Sequence, residues 1–271
     1  MVGVTPTTPE PTIMSRPALL VPIAVVAAAA LAGCAMTVSI GSSDSGPQTT
    51  QERDVSDVDR LDLATSGQLR LSVGEPSLTI TAGERVLDDL VTRVDGDTLV
   101  IDLESDWSDP GRITYDLTLP ALSSIRLSGS GEVVGEVAGT GSAAIELEGS
   151  GRISLDAVEA DALDVSVSGS GEIVVDAVVA TSTTVDISGS GRVELSGETD
   201  ALDVSIPGSG TAGLAGLAAR TAVVGIGGSG AAEVTASETL DASISGSGAI
   251  TYGGDPEVTT NVTGSGAVTR G

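Results

Sequence analysis

Ile125-Arg126-Leu127-Ser128-Gly129-Ser130-Gly131-Glu132-Val133 is the stretch that decides the fold, because close copies of it return along the rest of the chain. Gly-Ser-Gly begins at residues 129, 149, 169, 189, 208, 228, 246 and 264, with spacings of 20, 20, 20, 19, 20, 18 and 18. Flexible linkers are also rich in Gly and Ser, so the residues between the triplets have to decide. Two positions before each triplet stand Leu127, Leu147, Val167, Ile187, Ile206, Ile226, Ile244 and Val262. Four positions after its first glycine stand Val133, Ile153, Ile173, Val193, Ala212, Ala232, Ile250 and Val268. A linker has no reason to hold aliphatic side chains at fixed offsets through repeat after repeat.

A fixed period of this length indicates coils stacked as parallel strands, like residue above like residue. The expected fold is therefore all-β: a single-stranded parallel β-helix with coils of about 20 residues. Columns such as Ile125, Ile145, Val165, Val185, Val204 and Val224 would fill a narrow interior, which also accounts for the absence of Phe. Glycine at both ends of the triplet permits either a positive φ or a close backbone approach at a corner that turns alike in every coil. Eight coils would stack to roughly 35–40 Å.

One polar column follows the same register. The residue after the triplet runs Glu132, Arg152, Glu172, Arg192, alternating in sign at intervals of 20. Stacked coils would set each charge between opposite charges, and exposed pairs contribute only about 0.2–1 kcal/mol each. The column reads as a structural charge ladder that fixes register and keeps the surface soluble.

Outward from the repeat, residues 54–120 alternate instead with period two. Examples are Gln68-Leu69-Arg70-Leu71-Ser72-Val73, Leu99-Val100-Ile101-Asp102-Leu103 and Ile113-Thr114-Tyr115-Asp116-Leu117. These are expected to be non-repeating lead-in strands with one buried face. Asp95-Gly96 suits a hairpin turn, and only Arg85 to Val94 could be a short helix. Residues 121–271 carry the repeat, so that 54–271 form one domain.

The run Tyr115-Asp-Leu-Thr-Leu-Pro120-Ala-Leu122-Ser-Ser-Ile125-Arg-Leu127-Ser-Gly-Ser-Gly131-Glu-Val133, followed by the repeated triplets, resembles the "putative auto-transporter adhesin, head GIN domain" family of bacterial envelope proteins. The resemblance covers about Val55 to Gly271. It implies a right-handed parallel β-helix, often on a lipoprotein, and brings no catalytic residues. Pro207 and Gly227 depart from the polar residue usual before the triplet.

The N-terminus is read separately. Pro17 to Gly33 is apolar, follows Arg16 and ends Leu31-Ala32-Gly33-Cys34. It resembles a lipoprotein signal peptide, residues 1–33, whose cleavage leaves Cys34 as a first residue carrying a diacylglyceryl thioether and acyl chains such as palmitate. The true start could equally be Met14. Two plainer readings are an uncleaved anchor and an ordinary secretory signal. Against them, the segment is slightly short for a span of about 20 residues, and the only cysteine falls at the cleavage motif. Residues 34–53, rich in Ser, Thr, Gly and Gln, are expected to be the lipidated cysteine and a flexible tether.

Composition narrows the function. The chain has 38 acidic and 12 basic residues, all of the latter Arg, and no His, for a net charge of −26. Ser-His and Cys-His nucleophile pairs, imidazole metal ligands and Schiff-base lysines are absent by composition. A polyanion without a basic stripe is also a poor partner for nucleic acid. Acidic groups at Asp54, Asp57, Asp59 and Asp62, at Asp95 and Asp97, and at Asp102, Glu104, Asp106 and Asp109 could ligate Ca²⁺. None has a recognised calcium-loop spacing, so the solvent face of strands is the simpler reading.

No catalytic residue, cofactor or metal is expected. Expected instead is a cell-membrane protein, lipid-anchored and facing outside the cytoplasm, acting as an adhesin-like surface-interaction module towards envelope protein or glycan. A sensory or regulatory partner is the alternative, and a polysaccharide-active enzyme ranks third by fold analogy alone. Weak end-to-end self-association is a further expectation.

Overall fold

A computed structural model describes residues 45–271. The expected signal peptide, Cys34 and the first part of the expected tether lie outside the described residues. The described chain is a parallel β-solenoid of about seven turns with about 20 residues per turn.

In chain order the elements are β1 (Gln48–Arg53), β2 (Arg60–Leu63), β3 (Gln68–Val73), β4 (Ser77–Gly83), α1 (Glu84–Asp89), β5 (Leu90–Asp95), β6 (Thr98–Leu103) and β7 (Thr114–Leu119). The repeat region adds β8 (Ser124–Leu127), β9 (Glu132–Gly135), β10 (Thr140–Leu147), β11 (Arg152–Val167), β12 (Glu172–Ile187), β13 (Arg192–Ile206) and β14 (Thr211–Ile226). It closes with β15 (Ala231–Gly246), β16 (Ala249–Gly254), β17 (Glu257–Gly264) and β18 (Ala267–Arg270).

Each repeat strand pairs in parallel with its counterpart one coil away. Ile125 lies beside Ile145, then come Val165, Val185, Val204 and Val224. All six are buried, and they belong to one continuous apolar core. Each such side chain contributes about 1.5–3 kcal/mol of burial free energy, an upper figure because unfolded chains are already partly collapsed. The late coils align Ile206, Ile226 and Ile244 side by side despite Pro207 and Gly227, while register shifts fall elsewhere in these coils, between Glu194 and Gly197, Leu214 and Ala218, and Ala219 and Thr221.

The corners show which property of glycine is needed. A Cβ placed on Gly169 would stand 2.0 Å from the carbonyl oxygen of Gly149, and one on Gly171 would stand 2.5 Å from that of Gly151. The Ser170 amide donates to that same Gly149 oxygen at 2.8 Å, so inter-coil hydrogen bonding continues around the bend. Close backbone approach therefore selects glycine in most coils.

The lead-in strands are where the structure departs most from the sequence. The non-repeat lead-in strands build two further coils in register with the repeat. Leu61 of β2 pairs with Ile125 on one side and Leu99 on the other, while Leu69 of β3 pairs with Val133 and Tyr115. The spatial order is thus residues 98–119, then 60–73, then 124–135, and the middle coil is the earliest in sequence. Thr65-Ser66-Gly67 turns the corner that Gly129-Ser130-Gly131 turns above it: Ser128 donates to the Leu63 carbonyl at 3.0 Å and Glu132 to that of Gly67 at 2.8 Å.

Antiparallel strands close this end. β4 lies on β7, β1 on β4, and β5 on β6, while α1 buries Val86 and Leu87. Two expectations are corrected here. The tether expected over 34–53 gives way to strand at Gln48, because β4 offers a free edge that residues 48–53 fill. The helix considered for Arg85 to Val94 stops at Asp89, since β6 supplies an antiparallel partner strand for residues 90–95. Gly96, at φ 65°, makes the hairpin turn between β5 and β6.

Candidate functional site

Parallel register places Glu132, Arg152, Glu172 and Arg192 in one column, each beside the next. Their side chains form local contacts rather than a continuous rail. Arg152 is ion-paired with Glu172. Glu132 instead accepts a hydrogen bond from the Gln68 amide nitrogen at 2.8 Å. Arg192 reaches Glu194 on its own strand at 3.5 Å. A second charged column, overlooked in the sequence, joins Arg126 to Glu146 at 3.7 Å and to Glu148 at 2.9 Å. The 20-residue step from Arg126 to Glu146 was the available signal.

Four of the lead-in acids are engaged in local structure, whereas Asp62 keeps a buried carboxylate oxygen without a hydrogen-bond partner among the described residues. Asp59 accepts the Ser123 hydroxyl at 3.0 Å, Asp97 meets Arg60 at 3.5 Å, Asp102 caps the Leu103 amide at 2.8 Å, and Asp109 accepts the Gly111 amide at 3.0 Å. Trp107 donates its indole N–H to Asp89 at 3.0 Å, which ties the loop before β7 to α1. Among the described residues no group of three or more Cys, Asp or Glu is arranged to hold a metal ion. Ser130, Ser150, Ser170 and Ser190 sit exposed at the corners.

A long groove of about 1290 Å³ lies on the flank of the repeat. Ala160, Ala180, Thr199, Ala219 and Ala236 form one column along it, in register from coil to coil. The residues on either side of this column are exposed. Glu159, Val179, Glu198 and Ala218 follow one margin; Asp161, Thr181, Asp200 and Arg220 follow the other. Alternation explains the arrangement: where the column residue faces inward, its neighbours in sequence face out. Arg220 bridges Asp200 at 3.8 Å and Glu238 at 2.7 Å. Glu159, Asp161 and Glu198 have no ion-pair partner among the described residues. The groove is thus shallow, elongated and mostly acidic, and spans several coils.

Residues 57–256 match the family described as "Putative auto-transporter adhesin, head GIN domain". The chain belongs to this family. Among solved structures, a "putative lipid binding protein" from Parabacteroides distasonis is 29% identical with a TM-score of 0.77, covering 83% of this chain and 97% of its own. A "putative adhesin" from Parabacteroides merdae has a TM-score of 0.79 at 22% identity, with 83% and 97% covered. Another from Bacteroides fragilis has a TM-score of 0.63 at 20% identity, again with 83% and 97% covered. The last two show the fold alone. No curated protein matches the chain. A GIN-domain module of this adhesin-like family belongs on the outward-facing surface of a cell.

Proposed function

We propose that this GIN-domain protein is a lipid-anchored, non-enzymatic envelope protein that binds through the flank of its solenoid. One observation supports this reading above the others: a groove of about 1290 Å³ runs across successive coils, so contact would be distributed over many small increments. Cys34 supplies the anchor in this reading, and the exterior of the cell is where the head works. Envelope glycan or an envelope protein is the partner class. Nucleic acid is disfavoured by the −26 charge.

Retention on isolated envelope material tests the proposal. The chain carrying Glu159→Gln, Asp161→Asn, Glu198→Gln and Asp200→Asn should lose retention, while Glu132→Gln, away from the groove, should keep it. Equal retention of both overturns the groove as the binding surface. Capture of a single envelope protein favours a regulatory partner, and hydrolysis of an envelope glycan, lost on one carboxylate change, replaces binding with catalysis.

A further inference from the structure

A second concavity, of about 330 Å³, opens on the face made by the later halves of β13, β14 and β15 together with β17. It shares no residue with the flank groove. Two outward columns meet there. The first runs Arg126, Glu146, Ser166, Asp186 and continues as Ser205, Gly225, Ser243, Asn261. It carries no charge beyond Asp186. The second, two residues further along each coil, is Pro207, Gly227, Ser245 and Thr263.

The notch exists because the coil of β14 places glycine in both columns, where its neighbours carry Ser205 and Pro207 on one side and Ser243 and Ser245 on the other. The fold requires neither glycine. Both lie outside the left-handed region of φ. A Cβ on Gly225 would stand 3.6 Å from the Ser243 Oγ, and one on Gly227 would stand 3.4 Å from the Pro207 Cα, both ordinary contacts. Gly228, next in the chain, differs, since a Cβ there would fall 2.2 Å from the Gly208 carbonyl oxygen. Gly225 and Gly227 thus open the surface at a position where glycine weakens a strand and the backbone gains nothing from it.

The lining decides what fits. None of its residues is charged. Ser205, Ser243, Ser245 and Thr263 offer hydroxyls and Asn261 an amide, each residue able both to donate and to accept. Among the described residues no hydrogen bond occupies the side chains of Ser205, Ser245, Asn261 or Thr263. The Ser243 hydroxyl donates to the Val224 carbonyl at 3.4 Å, which leaves its oxygen free to accept. Apolar surface lies beside these groups: Pro207 forms one wall, and Val223, 51% exposed, precedes Gly225 by two residues on the same outward face. Asp203 and Asp241 flank Val223 and would repel an acidic ligand at the margin.

We propose that this notch is a subsite for a neutral saccharide. A sugar ring presents hydroxyls that donate and accept around its edge and C–H groups on its faces, the same combination that the notch offers. The ring sits over Gly225 and Gly227, bonds to Ser205, Ser245 and Asn261, and rests a C–H face on Pro207. The volume is at the small end of ligand pockets, about 300–1,000 Å³, which suits a short stretch of glycan. With no aromatic ring in the lining, a single site binds weakly, and useful strength comes from several sites engaged at once.

Titration of the isotope-labelled full chain with neutral glucan, mannan and chitin hexasaccharides, followed by amide NMR, tests the site. Shifts centred on Gly225, Gly227 and Ser245 at millimolar sugar are expected. Gly225→Val fills the notch with a residue that suits a strand, so it should melt no lower than the parent yet weaken sugar affinity by about tenfold. Asn261→Ala, a second variant should the first fold poorly, should weaken it several-fold. Shifts confined to the groove around Glu159 and Glu198, or affinity unchanged in both variants, overturn the notch and leave the groove reading standing. Silence with all three sugars overturns the proposal, as does a response only to an uncharged Ser- and Asn-rich peptide, which would make the notch a peptide site.

Discussion

The Gln68 side-chain amide donates to the Glu132 carboxylate at 2.8 Å, although 64 residues separate them. The contact exists because residues 60–73 are inserted between the coil of 98–119 and that of 124–135, so β3 lies beside β9. Replacing Gln68 with Leu should weaken this junction modestly, by about 0.5–1.5 kcal/mol. Urea unfolding of the variant against the parent checks the figure.

The corner glycines should be intolerant even of alanine. In Gly169→Ala the new Cβ would fall 2.0 Å from the Gly149 carbonyl, and the opposed backbone has no flexible end to yield. Destabilisation of about 1–3 kcal/mol or more is expected. Thermal unfolding followed by circular dichroism measures it, with Gly96→Ala as the contrast for conformation, since nothing lies within 4 Å of a Cβ there and only its φ of 65° opposes the change.

The aliphatic column should behave as a core. Ile173 is 0% exposed, between Ile153 and Val193. Ile173→Ala is expected to lose about 2–5 kcal/mol through lost burial and the cavity left behind, which denaturant titration would show as a lowered midpoint.

The Arg152–Glu172 pair should be a minor contributor. Its side chains are 50% and 24% exposed, and exposed pairs couple by about 0.2–1 kcal/mol. A double-mutant cycle with Arg152→Ala and Glu172→Ala should return a value in that range, falling as salt is raised.

Alkaline stability should hinge on Tyr115. Burial pushes its phenol up to about 12, partly opposed by the hydrogen bond with Thr65, whose hydroxyl stands 2.7 Å away. The unfolded phenol ionises near the usual value of 10. The raised pKa means that the folded state keeps its proton longer, so stability is fully present below about pH 10 and is lost between about 10 and 12, by up to roughly 2–3 kcal/mol. Stability curves against pH for the parent and Tyr115→Phe would differ in slope in that window. Equal slopes would sink the assignment.

Chain register was legible where repeats follow each other directly. Ile125 to Val224 could be aligned by counting, because each coil is next in sequence to the one it touches. The coil of 60–73 could not, since its partners on one side, Leu99 and Tyr115, and on the other, Ile125 and Val133, lie far along the chain at unequal separations, and its corner reads Thr65-Ser66-Gly67. Strand β1 was hidden for a related reason. Thr49-Thr50-Gln51 is polar enough to resemble a tether, and only the free edge of β4 makes it a strand.

The candidate site divides in the same way. The charges at 132, 152, 172 and 192 could be placed in one column from their spacing, but not which of them touch. Long side chains choose among several partners at similar distance, and Glu132 found an amide where an arginine was expected.

By itself the sequence determined the solenoid, its period, its core columns and its acidic surface, because these follow from side chains repeated at a fixed interval and from charge that has to face water. Tertiary structure decided the order of the first coils, the closed end, and the flank groove. Those depend on which free strand edge a distant segment meets and on how a corner bends, and neither is encoded in any one period of the chain.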